Sequence, residues 1–172
     1  MLDISEIHGS KSKIKTSLKN LLKQLLQNFA KTYSSPKSYN NHLGVPISLS
    51  NLTSEDRYGV FEIGMSKKGE IDNLSKLIKP HIGIVTNIGE AHIENFTNIY
   101  GIAKAKSEII NSIERNCTII LNRDDKFFNF LRKKAKLKKL KIITFGKDKK
   151  SDIFPLLFIK SSDSTKVVFK VK

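Results

Sequence analysis

The sequence predicts an α/β fold: a parallel sheet with helices on both faces, ending in a short β-hairpin. Three observations carry this. The apolar runs "HIGIVTNIG", "CTIILN" and "KIITFG" alternate with segments whose apolar residues recur at helical spacing, and strands joined through helices run parallel with right-handed crossovers. "HIGIVTNIG" is apolar without alternation, the pattern of a strand covered on both faces. The closing stretch, "DIFPLLFIKSSDSTKVVFKVK", abandons helical period for two apolar runs around a polar "SSDS" turn, the pattern of a hairpin.

Taken in order, "DISEI" is a candidate short strand. "TSLKNLLKQLLQNFAKTY" places Leu18, Leu21, Leu22, Leu25, Leu26 and Phe29 on one stripe, which predicts an amphipathic helix from Thr16 or Ser17. "SSPKSYNNHLGVP" is a loop by composition. "YGVFEIGM" reads as a strand and "EIDNLSKLIK" as a helix stopped by Pro80. After the strand "HIGIVTNIG", "NIYGIAKAKSEIINSIER" predicts one helix. "CTIILN" is a strand, "DDKFFNFLRKKAKL" a helix with Phe127, Leu131 and Ala135 facing inward, and "KIITFG" another strand. Neither a repeat nor a linker interrupts the pattern. Residues 1–150 read as one domain, and 151–172 as its β-rich end.

A length of 172 residues, 39% hydrophobic and 27% charged, suits a globular chain able to bury a core. No apolar run approaches the roughly 20 residues that cross a bilayer, and "MLDISEIHGS" lacks the basic-then-apolar start of a signal peptide. No membrane insertion is expected. Cys117 is the single cysteine, so a reducing cytoplasm is the expected setting. The net charge of +15 invites a nucleic-acid reading, but of 31 basic residues only Arg57, Arg115, Arg123 and Arg132 are arginines. Bidentate recognition of phosphates and base edges favours arginine, and arginine-plus-aromatic platforms are missing. Nucleic acid is therefore not an expected partner. The lysines of "LRKKAKLKKLK" read as the wet face of a helix.

"GSKSKIKTS" carries the candidate chemistry. A phosphate loop reads G-x-x-x-x-G-K-[ST], and Gly9, Lys15 and Thr16 match its spacing while Ile14 stands at the second glycine. The segment opens a helix, as a phosphate loop must, so the predicted sheet is of the P-loop-NTPase kind. Ligands of such sheets gather at the carboxyl ends of strands. There the sequence places Glu62, at the end of "YGVFEIG", and His92, after "IVTNIG"; Lys106 lies in the following helix. Singly, each has an ordinary reading as a surface carboxylate, a turn histidine or a solvated lysine. Together on one predicted edge with the loop, a carboxylate and an imidazole suit metal-nucleotide chemistry.

Five stretches, "SYNNHLGVPISL", "VFEIGMSKKGEI", "IVTNIGEAHIENF", "GIAKAKSEII" and "ILNRDD", occur in the order and spacing of the central ATPase domain of Mur ligases. The chain resembles that family from about residue 7 to about residue 160. "TNIGEAHIE" followed by "GIAKAKSEI" suits the branch that joins D-alanyl-D-alanine to a UDP-N-acetylmuramoyl-tripeptide in peptidoglycan synthesis. The resemblance implies ATP and Mg2+ as cofactors, with UDP-MurNAc-peptide and D-Ala-D-Ala as substrates. It implies that Gly9, Lys15, Thr16 and Ser17 embrace the ATP phosphates, and that Thr16, Glu62, His92 and a carbamylated Lys106 hold magnesium. Lys15, His92 and Lys106 thereby become the catalytic set, Asn41 and Asn87 contact substrate, and Glu90 flanks the metal-binding turn. The chemistry implied is ATP-driven formation of an acyl phosphate, which an incoming amine attacks.

The chain departs from the family in two ways. The family loop G-[ST]-x-G-K-[ST]-[ST] has two residues between its leading pair and its lysine, the second a glycine; here "KSKI" stands between "GS" and "KTS". Ile14 resists the left-handed geometry that glycine permits. The UDP-binding N-terminal domain and the C-terminal ligase domain of a complete family member are also not expected within these residues. An alternative reading is a truncated remnant with a degraded phosphate loop, folded but binding no nucleotide.

Overall fold

The computed structural model describes residues 11–90, 93–162 and 164–172, with side chains from Ile14 onward. The chain forms two compact units: residues 1–79 with 89–105, and 80–88 with 106–172.

In the first unit, α1 spans Lys11–Leu26 and packs against a two-stranded parallel sheet of β1 (Thr32–Ser34) and β2 (Tyr58–Val60), in register Thr32 to Tyr58. Helix α1 begins five residues before the expected Thr16. "KSKI" contains no glycine or proline, so helical propensity runs unbroken back to Lys11. It also ends at Leu26, which leaves Phe29 outside the helix and 80% exposed. Thr32 and Tyr33, expected as the end of the helix, and Ser34, expected as loop, form β1.

Helix α2 (Gly44–Ser50) lies partly in the stretch expected as loop. Pro46 falls in its first turn, where the missing N–H costs nothing, and the Asn41 side-chain carbonyl accepts from the N–H groups of Leu43 (3.2 Å) and Gly44 (2.8 Å). Helix α3 (Glu70–Ile78) starts after Gly69, at φ 89°, and ends on left-handed Lys79, at φ 49°, before Pro80. Glu70 accepts from the N–H of Ser66 (2.5 Å) and Lys67 (3.0 Å), which holds its carboxyl below the usual glutamate range. The strand expected over "YGVFEIGM" is regular only as β2.

The helix expected over residues 98–115 breaks into α4 (Ile99–Lys106) and α5 (Ile109–Ser112). Among the described residues, the second unit carries a five-stranded sheet in the order β3 (Ile82–Val85), β4 (Thr118–Asn122), β5 (Lys141–Phe145), β6 (Ile153–Lys160), β7 (Thr165–Val171). The pairs from β3 to β6 are parallel, and β6 with β7 is an antiparallel hairpin. Ile119 and Leu121 of β4 are fully buried, and α6 (Phe128–Leu137) covers β4 and β5 with Phe128, Leu131 and Ala135. Its lysines 133 and 136 stay exposed, as the sequence pattern requires. Pro155 sits where the β6–β7 register shifts, a position at which a missing N–H is tolerated. Strand β7 is the outer edge, and Lys166 and Lys170 stand on it exposed. This is the mixed α/β class that the sequence predicts. No helix among the described residues is long and apolar enough to cross a membrane.

Asp152 joins β5 to the start of β6. Its Oδ2 accepts from the Thr144 hydroxyl (2.6 Å) and N–H (2.7 Å), while its own N–H donates to Thr144 Oγ1 (2.9 Å). The hydroxyl bond, ahead of the opposing effect of burial, holds the carboxyl below the usual aspartate value. A depressed folded-state value means that the stabilisation is complete above the ordinary aspartate value and is lost as pH falls through the lower, folded one. Asp152→Asn should therefore cost about 1 kcal/mol at neutral pH and flatten the acid limb of stability in urea titrations run between pH 5 and pH 2.

Candidate active site

In the first unit, Glu62 follows β2 and is 5% exposed. A buried carboxylate must be paired, and this one is paired on both oxygens. Its Oε2 accepts from the Thr16 hydroxyl at 2.8 Å. Its Oε1 accepts from Asn40 Nδ2 at 2.8 Å and lies 3.6 Å from Lys15 Nζ, which also donates to the Ile63 carbonyl at 3.2 Å. Lys15 and Thr16 are successive residues of α1, so the helix presents an ammonium and a hydroxyl side by side to the strand end. The turn after Glu62 is close-set: Gly64 N–H donates to the Asn40 carbonyl at 2.7 Å, and a Cβ on Gly64 would lie 2.9 Å from the Asn40 side-chain amide.

The donor set fits magnesium. Mg2+ takes hard oxygen ligands at roughly 2.1 Å in an octahedron, which puts neighbouring ligands about 3 Å apart; Thr16 Oγ1 and Glu62 Oε2 are 2.8 Å apart. A single carboxylate with a hydroxyl, the remainder coming from water and phosphate, is a common magnesium arrangement. The nucleotide is less well provided for. Residues 11–15, expected as an open loop, are wound into the first turns of α1, and Ile14 is not among the residues with positive φ.

The other expected residues distribute as follows. Ser17 is half-buried on α1. Asn41 is exposed and spends its side-chain carbonyl on the start of α2. In the second unit, Lys106 Nζ donates to the Asn87 carbonyl at 2.7 Å. Glu90 is exposed. Gly9 and His92 lie outside the described residues, as does "DISEI".

Several residues at these places were not foreseen. Asn40 rather than Asn41 reaches the carboxylate. Lys19, one turn beyond Lys15 on α1, is 3% exposed and donates to the carbonyls of Ser35 (2.6 Å) and Lys37. Burial pushes its ammonium below the usual lysine value, with the Glu62 charge acting the other way. Around Asn87, Asn122 Nδ2 donates to the Thr86 carbonyl (3.0 Å) and Asp125 accepts from the Ile88 N–H (2.6 Å). The sequence does hold a signal for Lys19, since it falls between Leu18 and Leu22 on the inward stripe; "ILNRDD" likewise contains Asn122 and Asp125.

Comparison with known proteins places the chain in a family. The model of the Mur ligase middle domain matches residues 12–172. A UDP-N-acetylmuramoyl-tripeptide--D-alanyl-D-alanine ligase from Buchnera aphidicola (subsp. Acyrthosiphon pisum) is 37% identical over 140 residues, covering 81% of this chain and 31% of the relative. Its counterpart from Rickettsia prowazekii is 36% identical over 145 residues, 84% of this chain and 32% of the relative. The crystal structure of MurF from Acinetobacter baumannii superposes with a TM-score of 0.85 at 34% identity, covering 91% of this chain and 34% of that one. MurF ligase from Thermotoga maritima in complex with ADP gives 0.81 at 29% identity, covering 91% and 36%. The chain thus spans about a third of the length of these relatives. By its matched residues and its fold, the chain belongs to the Mur ligase middle-domain family.

Proposed function

We propose that this chain is the ATP- and Mg2+-binding core of a peptidoglycan ligase that makes an amide through an acyl phosphate. The observation that carries the reading is the buried Glu62 carboxylate, held by Thr16 and Lys15 from the second turn of α1, in a chain of this family. In this role Thr16 and Glu62 hold magnesium, while Lys15 and Ser17 face the phosphates. By resemblance His92 and Lys106 serve a second metal, and Asn41 and Asn87 serve the substrates. Magnesium bound there would offset charge on the transferring phosphoryl group. The chain's own part is to place that ion and to set an ammonium beside it, since phosphoryl transfer depends on positioning and electrostatics. The substrates would be a UDP-MurNAc-peptide carboxylate and the amine of D-Ala-D-Ala, with UDP-binding and ligase domains of the family kind completing the site.

The test is calorimetric titration of the 172-residue chain with ATP, with and without Mg2+. Magnesium-dependent binding is expected, and Lys15→Ala should weaken it about tenfold, the worth of one charge-assisted phosphate contact. No heat of binding at millimolar Mg-ATP overturns the reading. A second reading has its own support in the helical wrap of residues 11–15: a folded remnant in which the phosphate cradle is lost. It expects no binding by the natural chain and recovery of binding when "GSKSKIKTS" is replaced by "GSSGKTS".

A further inference from the structure

The most buried described side chain of α1 is a lysine. The apolar residues of that helix, Leu18, Leu21, Leu22 and Leu26, are only half-buried, whereas Lys19 is 3% exposed. A lysine side chain gives up rotamer freedom and hydration when buried, so its ammonium must be compensated. The compensation is local and directed: the Ser35 carbonyl at 2.6 Å and the Lys37 carbonyl. Lys37 adopts φ 44°, a left-handed backbone that a non-glycine residue holds only when its surroundings impose it.

The turn pinned in this way leads directly to the candidate metal site. Ser35 N–H donates to the Val60 carbonyl (3.0 Å), and the Ser35 hydroxyl accepts from the Glu62 N–H (3.3 Å). Tyr39 N–H donates to the Pro36 carbonyl (3.1 Å), and Asn40 N–H to the Ser38 carbonyl (2.7 Å). Asn40 then grips Glu62 Oε1 and, through its carbonyl, the Gly64 N–H. One ammonium thus ties the helix bearing Lys15 and Thr16 to the segment that orients Glu62 from the other side.

We propose that Lys19 is a positioning residue, an internal cation that fixes the 35–40 turn so that Asn40 and Glu62 meet Thr16 in metal-binding geometry. Its bearing on nucleotide rests on the function proposed above; the clamp itself does not. The ammonium is built in where a loosely held turn would otherwise let Asn40 swing away from the carboxylate. Arginine can supply the charge and hydrogen bonds from nearly the same depth, and methionine fills the volume without either.

Three measurements on the full 172-residue chain test this. In the natural protein, the Lys19 ammonium should give a 15N side-chain signal that exchanges with solvent at least about tenfold more slowly than those of exposed lysines, as hydrogen-bonded burial demands. In Lys19→Met, amide exchange at Gly64 should rise about tenfold relative to the amides of β4, and Lys19→Arg should restore most of the protection. Mg-ATP affinity should fall by about the same factor in Lys19→Met and recover in Lys19→Arg, the fraction of competent geometry setting apparent affinity. A fast-exchanging Lys19 ammonium overturns the proposal, and that readout needs no variant to fold. Gly64 exchange within about twofold of the natural protein in Lys19→Met also overturns it. If the natural chain binds no nucleotide, the functional reading falls while the two exchange measurements still decide the clamp.

Discussion

Glu62→Ala is expected to abolish magnesium-dependent ATP binding and to destabilise the first unit by about 2 kcal/mol, because it leaves three half-buried partners with nothing to face. The Thr16 hydroxyl, the Asn40 amide and the Lys15 ammonium all converge on that carboxylate, and Lys19 lies within its electrostatic reach. Glu62→Gln separates the two effects. The amide keeps the volume and one acceptor, so most of the stability should return. It offers no charge to a divalent cation, so binding should not. Urea unfolding followed at first-unit probes, beside calorimetry with Mg-ATP, reads both. Tight Mg-ATP binding by Glu62→Gln would remove Glu62 from the metal site.

Gly44→Ala should also be strongly damaging, for a steric reason. Gly44 is the first residue of α2, and a Cβ there would lie 2.6 Å from the Tyr39 Cα and 2.8 Å from both its carbonyl carbon and its Cβ. Two of those three atoms are backbone, which cannot rotate out of the way. The segment 39–41 must therefore shift, at a cost of about 3 kcal/mol, the upper range for overpacking. Asn40 moves with it, so Mg-ATP affinity should fall even where the chain remains folded. Ser50→Ala, at the exposed far end of α2, should stay within about 0.5 kcal/mol of the natural protein. Equal unfolding midpoints for Gly44→Ala and Ser50→Ala would contradict the packing described.

The second unit was the more legible in the sequence. The strands β3, β4 and β5 are short apolar runs, and α6 has its period, because a sheet covered by helices selects residues by burial. Even there Phe128, not Phe127, takes the inward position, since Asp125 accepts the Phe127 N–H (2.8 Å) and fixes where the helix begins. The first unit was less legible because tertiary hydrogen bonds decide its local structure. Asn41 turns an apparent loop into α2; β1 and β2 are too short to show alternation; and α1 extends over residues that the phosphate-loop motif marks as loop. Of the candidate site, the pairing of Lys15 and Thr16 with Glu62 was foreseeable from motif and strand end. The part played by Asn40 was not, because no spacing rule distinguishes an inward asparagine from its exposed neighbours, and for Lys19 the sequence marks only its place beside the apolar stripe, not its burial.

The outermost ribbon of the five-stranded sheet has a consequence for self-association. Among the described residues strand β7 is paired on one side only, and its residues Val167, Val168, Phe169 and Val171 are of the kinds that promote strand stacking. Lys166 flanks that run and Lys170 interrupts it. A second molecule docking alongside would have to strip water from both ammonium groups, so each acts as a gatekeeper against open-ended polymer growth.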